Sequence, residues 1–153
     1  MADKTPEKPV LLSGGNPQIA KGVGDAPVQA PIEVDFDLPR GWQARTPWTS
    51  KGEGDRFRVD SRRELISNAL FLGTAHAETF DAGGVKLTLV LGKRYRKSAP
   101  LFVDLLRTQL ASYAELFGGP PLSKRYLVII NEHESGDGGA FAGRTISVEI
   151  LAP

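Results

Sequence analysis

The alternation of apolar and polar residues changes its period several times between residues 86 and 150. Residues 86–92 alternate in steps of two, which predicts a half-buried strand. Residues 98–117 repeat at helical spacing, whereas residues 126–130 form a continuous apolar run typical of a strand covered on both faces. Residues 145–150 alternate again. This part of the chain is therefore predicted to form a strand, a long helix, a central strand, a glycine-rich loop and a last strand.

The predicted helix has recognisable signals at both ends. Ser98 is a candidate N-cap, and Pro100 lies in the first turn, where its missing N–H costs nothing. Gly118 and Gly119 supply a left-handed C-cap, and the two prolines that follow prevent continuation. The apolar side chains expected to pack on a sheet are Phe102, Leu105, Leu106, Leu110, Tyr113, Leu116 and Phe117.

Shorter periodic segments come earlier in the chain. Residues 32–38 alternate between apolar and acidic side chains, and a turn leads to a returning strand near Trp42 and Ala44. Ser61 with Glu64 three residues later matches a capping box, which predicts a short helix that ends near residue 70.

A hairpin is predicted at residues 70–92, with its turn at 81–84. Residues 1–31 contain five prolines and little apolar surface, which predicts an extended tail or linker. The alternative is a strand near residues 10–12, added to a sheet edge.

These elements predict an α+β fold. We expect a twisted, mostly antiparallel sheet with one long amphipathic helix packed on it, together with an irregular N-terminal tail. The expected division is a tail at 1–31, a β-rich segment at 32–60 and an α+β domain at 61–153.

Composition and charge narrow the classes of partner. The 153-residue chain carries a net charge of +1, so no overall field favours nucleic acid or an anionic membrane. The absence of cysteine excludes disulfides and thiolate metal sites. No apolar run approaches the ~20 residues of a membrane span, and the first residues lack the apolar core of a signal peptide. Arginines and tryptophans interleave at residues 40–63, where tryptophans packed under a sheet are favoured over a nucleic-acid platform.

Few residues offer candidate chemistry. His76 has no partner at ligand spacing and is interpreted as a packed or surface residue. His133 and Glu134 begin like the zinc motif His-Glu-x-x-His, but Asp137 stands at the fifth position and glycines break the helix. Glu132, Glu134 and Asp137 could form a carboxylate pair, although acids in a glycine loop are more often solvated. We therefore predict no catalytic residue and no metal ligand in this chain.

Four motifs follow one another in the second half of the chain. They are Glu-Leu-Phe-Gly-Gly-Pro-Pro at 115–121, the apolar run at 126–130, Gly-Gly-Ala-Phe at 138–141 and the alternating strand at 145–150. In this order they resemble the region upstream of the zinc-binding helix in gluzincin metallopeptidases, and they look closest to the glycyl aminopeptidase branch. Leu-Pro-Arg-Gly-Trp at 38–42 resembles the end of the β-rich N-terminal domain of the same proteins.

The resemblance implies that the glycine loop and the strand after it form a wall of a substrate cleft, along which a peptide lies extended. The family loop normally reads Gly-Gly-Leu-Glu-His. Gly138 and Gly139 match it, whereas Ala140, Phe141 and Ala142 replace the leucine, the acid and the histidine. The residues that the resemblance implies for substrate binding are Gly138, Gly139, Ala140, Phe141, Thr145 and Ser147.

The sequence and the resemblance are compatible with two functions. The first is a non-catalytic fragment or relative of a zinc aminopeptidase-like protein, in which zinc would belong to the parent on a His-Glu-x-x-His helix downstream of Pro153. The alternative is a peptide- or protein-binding module of an exported or envelope assembly with no enzymatic role. The expected partner is an extended peptide or the missing C-terminal half of the parent. The compartment is not predicted, although the resemblance is compatible with a periplasmic or secreted parent.

Overall fold

The computed structural model describes residues 10–12, 30–133 and 137–151. The strands in these ranges are β1 (Val10–Leu12), β2 (Ile32–Asp35), β3 (Gln43–Arg45), β4 (Thr49–Ser50), β5 (Arg56–Val59), β6 (Leu70–Gly73), β7 (His76–Ala82), β8 (Val85–Leu91), β9 (Arg125–His133), β10 (Gly138–Ala142) and β11 (Thr145–Leu151). The helices are α1 (Arg62–Ile66), a 3-10 helix (Lys93–Ser98) and α2 (Ala99–Leu116).

A five-stranded sheet in the order β10-β11-β9-β8-β7 forms the larger part of the fold. Its inner strands β11, β9 and β8 are parallel, and its outer strands β10 and β7 are antiparallel to their neighbours. The α+β class is confirmed, but this sheet is mixed and not mostly antiparallel. The reason is the crossover, because α2 returns the chain to the start of the sheet before β9 begins.

The central strand is β9, as its continuous apolar run predicted. Residues 127–130 are buried, and β9 has β8 on one side and β11 on the other. One face of the sheet packs on α2. The core on this face consists of Phe80, Ala82, Leu87, Leu89, Leu91, Ala99, Val103, Val128 and Ile130, with Phe102, Leu106 and Leu110 half-buried against it.

The predicted apolar stripe of α2 is only partly buried. Leu105, Tyr113, Leu116 and Phe117 are all exposed. A Cβ added to Gly83, in the β7–β8 turn, would lie 2.6 Å from the carbonyl oxygen of Leu110. The sheet therefore ends near Leu110, and the last turns of α2 extend beyond it.

Both ends of α2 are defined by backbone geometry. Ser98 precedes the helix but makes no side-chain capping hydrogen bond, because the 3-10 helix leads directly into α2. Gly118 has a φ of 73°, and the N–H of Gly119 donates to Ala114 at 2.7 Å. The glycine C-cap is therefore confirmed, and Ser98 occupies the predicted N-cap position without a side-chain capping hydrogen bond.

Two three-stranded sheets make up the rest of the described fold, with the orders β1-β6-β3 and β2-β5-β4. The predicted hairpin at 70–92 is correct for β7 and β8 only, because β6 pairs with β1 and β3 in another sheet. Residues 10–12 form a strand at a sheet edge, which was the alternative to an extended tail. The other residues of the predicted tail up to 29 lie outside the described part of the chain, so the tail stays a prediction there.

A second core lies between these smaller sheets and α1. It contains Ala44, Trp48, Phe57, Val59, Leu65, Leu70 and Leu72, with Trp42 half-buried against it. The interpretation of the tryptophans as packed residues is confirmed. The Ser61 N-cap is confirmed as well, since Ser61 Oγ accepts a hydrogen bond from the N–H of Glu64 at 3.1 Å, while the Glu64 carboxylate reaches back to the N–H of Asp60, one residue before the cap. From the same region Phe71 covers the second face of the large sheet, against Val90, Leu127 and Ile129.

Candidate functional site

The residues singled out from the sequence lie together in the β10–β11 hairpin, at one edge of the five-stranded sheet. Gly138, Gly139, Ala140 and Phe141 belong to the edge strand β10, and Thr145 and Ser147 belong to its neighbour β11. The predicted glycine loop is therefore a strand from Gly138 onward. In the described structure, β10 pairs with β11 on one side only, so its other side presents backbone N–H and C=O groups to solvent.

One face of the hairpin is apolar. Phe141 pairs with Ile146, which pairs with the buried core residue Val128, so these side chains lie on the face that carries α2. Phe141 is 72% exposed and Ile146 is 37% exposed. Two residues earlier in β10, Gly139 pairs with the half-buried Val148 and places no side chain over it.

The other face of the hairpin is small and polar. Ala140 pairs with Ser147 and Ala142 pairs with Thr145, and both hydroxyl side chains are buried, at 4% and 0% exposure. Thr145 Oγ1 donates to the carbonyl oxygen of Ala69 at 2.8 Å. Thr145 and Ser147 are therefore buried in the strand next to β10. The exposed residues of the hairpin that a ligand could contact are those of β10 itself.

The turn of the hairpin is fixed to the C-terminal end of α1. The N–H of Arg144 donates to Asn68 Oδ1 at 2.7 Å, and Asn68 Nδ2 donates to the carbonyl oxygen of Glu64 at 2.6 Å. The Arg144 guanidinium forms an ion pair with the Glu64 carboxylate, and both side chains are largely buried. Burial lowers the pKa of Arg144 below its ordinary value, and Asp60 acts in the opposite direction.

Gly143 completes this contact because it must approach α1 closely. Its φ is 56°, and an added Cβ would lie 2.5 Å from the carbonyl oxygen of Ser67. A side chain at this position would therefore separate the hairpin from α1.

These anchoring residues were missed by sequence reasoning. Asn68 and Arg144 are 76 residues apart, and no local pattern connects them. The single available signal was the capping box, which marked Glu64 as a helix-start residue but not as the partner of Arg144. The carboxylate of Glu64 also accepts the N–H of Asp60 at 3.1 Å, so it serves the helix start and the hairpin together.

Charged residues lie at the ends of the parallel strands near Gly138. His133 Nε2 is 3.7 Å from Glu149 Oε2, and Glu149 pairs with Gly138. Glu132 Oε1 accepts the N–H of Arg94 at 2.5 Å, so Glu132 is not simply solvated as the sequence suggested. Glu134 lies outside the described residues.

Metal ligands can be considered only in the described part of the chain. Residues 10–12, 30–133 and 137–151 contain no group of three or more His, Asp or Glu side chains placed to hold a metal ion. His76 Nε2 is 2.8 Å from Glu78 Oε1, which agrees with its interpretation as a packed or surface residue.

A shallow depression lies over β2 and β5. Its volume is about 280 Å³, and its lining includes the ion pairs Lys51–Glu33 and Arg56–Asp35. The second of these pairs has an Nε–Oδ2 distance of 2.9 Å. Lys51 holds the pKa of Glu33 below its ordinary value by a hydrogen bond and by its charge. These exposed pairs are solvated surface charges, which are typical of a protein surface and do not indicate a binding site.

Comparison with known proteins supports the fold. A solved structure of an aminopeptidase N family protein from Idiomarina loihiensis matches with a TM-score of 0.58 and 24% sequence identity. The match covers 80% of this chain but only 22% of that protein. No protein-family model and no curated protein match the sequence. No described helix is long and apolar enough to cross a membrane.

Proposed function

We propose that the chain is a non-catalytic fragment or relative of a zinc aminopeptidase-like protein, in which β10 forms the wall of a cleft for an extended peptide. The observation that carries the proposal is the position of Gly138–Ala142, at an edge of the sheet where no described strand pairs with the side that faces away from β11. The fold shared with an aminopeptidase N family protein supports the same class.

The physical basis of the binding is strand addition. Alternate residues of β10 direct their N–H and C=O groups away from β11, so an extended segment can continue the sheet at a spacing of about 4.8 Å. Gly138 and Gly139 have no Cβ, and a Cβ at Gly138 would meet nothing within 4 Å. The ligand backbone can therefore approach this end of β10 without a steric penalty.

We propose no role for zinc at these residues, because the described part of the chain offers no set of three suitable ligands. In the proposal zinc belongs to the parent protein, on a His-Glu-x-x-His helix after this segment. The alternative is a binding module of an exported or envelope assembly, which would use the same edge strand for a peptide or for a partner protein.

Amide NMR titration with extended peptides tests the binding. We expect the largest shifts at residues 138–142, with smaller shifts along β11. Peptides methylated at alternate backbone nitrogens provide the control, because methylation in one register removes the donors to β10 and in the other register leaves them intact. Equal binding by both methylated peptides, or the absence of shifts in β10 at millimolar peptide, would refute strand addition.

Mass spectrometry of the same peptides tests the non-catalytic part. The peptides should remain intact after incubation with the chain and added zinc. Cleavage that a chelator abolishes would show that the chain itself carries the activity.

A further inference from the structure

The exposed pair Phe141–Ile146 gives the candidate site a chemical preference, and this inference rests on the function proposed above. We infer that β10 selects extended segments that carry two large apolar side chains at positions i and i+2, both on the face that carries α2. This preference depends on side chains, whereas the proposed strand addition depends on the backbone alone.

The exposed apolar surface of Phe141 and Ile146 faces the position that an added strand would occupy. A residue added opposite Phe141 would lie on the same face of the sheet, with its Cβ about 5 Å away. Phe141 and Ile146 would then cover it from one side, since they are already a direct cross-strand pair. Leaving both partly exposed next to an unpaired strand edge favours association with a matching strand.

A gap lies beside Phe141 on the same face, because the residue there is a glycine. Gly139 lies two residues away on the same face, and a Cβ there would meet only Ser147 O, at 3.3 Å, within 4 Å. A large ligand side chain opposite Gly139 can therefore lie across the glycine toward the half-buried Val148. Aromatic residues are known to cover glycines in neighbouring strands in this way.

The other face of β10 lacks comparable apolar side chains. There β10 offers only Gly138, Ala140 and Ala142, and the hydroxyl groups of β11 behind them are buried. No large apolar side chain of the hairpin lies on that face, so residue i+1 of the ligand gains little from being apolar. The preference for large apolar side chains should therefore apply to every second residue of the ligand, as expected for an extended strand.

The occupant that fits these features is an extended peptide segment with large apolar residues two positions apart. The probes are three acetylated and amidated heptapeptides of equal length. Thr-Lys-Phe-Thr-Phe-Lys-Thr places two phenylalanines on one face, Thr-Lys-Phe-Phe-Thr-Lys-Thr places them on opposite faces, and Thr-Lys-Thr-Thr-Thr-Lys-Thr has none. Binding to the whole chain is measured from the amide shifts of residues 138–149.

We expect the first peptide to bind about fivefold more tightly than the third, as two favourable cross-strand pairs would give, and about twofold more tightly than the second, which keeps one phenylalanine on the face that carries α2. Phe141→Ser should reduce the advantage over the third peptide to about twofold, because it removes the pair opposite Phe141 and leaves the one opposite Gly139. The matched control is Phe117→Ser, because Phe117 is 77% exposed at the end of α2 and lies outside the hairpin. It should leave the advantage unchanged.

Three other outcomes would overturn the inference. Equal binding of all three peptides at β10 would refute the apolar preference and leave the proposed strand addition standing. No shift in β10 with any peptide would refute the proposed function itself. A concentration-dependent dimer that Phe141→Ser dissociates would assign the apolar pair to a second copy of the chain.

Discussion

Replacing Thr145 by valine tests how firmly the hairpin that carries the candidate site is attached to the rest of the fold. Thr145 is completely buried, and its hydroxyl donates to the carbonyl oxygen of Ala69 at 2.8 Å. Valine has nearly the same volume and no donor. The substitution therefore removes one hydrogen bond from a site that water does not reach and leaves the packing almost unchanged.

The expected loss follows from the cost of an unsatisfied buried group. A carbonyl left without its partner costs about 1–3 kcal/mol, and we expect the Thr145→Val variant to lose about 2 kcal/mol of unfolding free energy. For a chain of this size that corresponds to a decrease in Tm of about 4–8 °C.

Urea denaturation followed by tryptophan fluorescence measures this loss, since Trp48 is buried in the second core. Thr79→Val is the matched control, because Thr79 is exposed and its Oγ1 lies 3.0 Å from that of Thr88. Water can replace that contact, so the control should change stability by less than about 0.5 kcal/mol. A Thr145→Val variant as stable as the control would refute the attachment of the hairpin through this hydrogen bond.

Three further predictions concern the framework. Leu89→Ala should lower the free energy of unfolding by about 2–5 kcal/mol, because Leu89 is completely buried under α2; a loss below about 1 kcal/mol in chemical denaturation would contradict this. Gly83→Ala should lower Tm more than Gly52→Ala does, since both glycines have positive φ but only Gly83 meets the backbone of α2; equal effects in thermal unfolding would argue against the contact. The pKa of Glu33 is lowered in the folded chain, so its pair with Lys51 stabilises above the unfolded pKa and is lost as the pH falls through the folded value. Lys51→Met should therefore raise the NMR titration midpoint of Glu33, and an unchanged midpoint would contradict this pairing.

The parts of the fold that the sequence predicted well are those with strong local periodicity. The helix from Ala99, the central strand β9 and the alternating strand β11 were all recognisable from side-chain spacing. Pairing between strands was harder, because periodicity carries no information about the neighbour that a strand chooses. Leu70–Gly73 was therefore assigned to a hairpin with β8, whereas it pairs with β1 and β3.

In the candidate site, too, local patterns were recognisable from the sequence and contacts between distant residues were not. The glycines and Phe141 were found because they stand next to one another in the sequence. The contacts that position them were not found, since Asn68 and Arg144 meet only when the chain has folded. The burial of Thr145 and Ser147 likewise depends on the packing of β6 behind the sheet, which no local pattern around these residues indicates.

Among the described strands, β10 pairs with β11 alone, and this pairing determines how its amides exchange with solvent. Opening β10 breaks only its pairing with β11, while β11 keeps its parallel pairing with β9. The amides of Gly138–Ala142 that face β11 should therefore exchange through a local opening that costs much less than global unfolding, whereas those that face away from β11 exchange without it. A segment that adds to the free side of β10 would place this strand between two neighbours, and the slowing of its exchange would report occupancy directly, residue by residue.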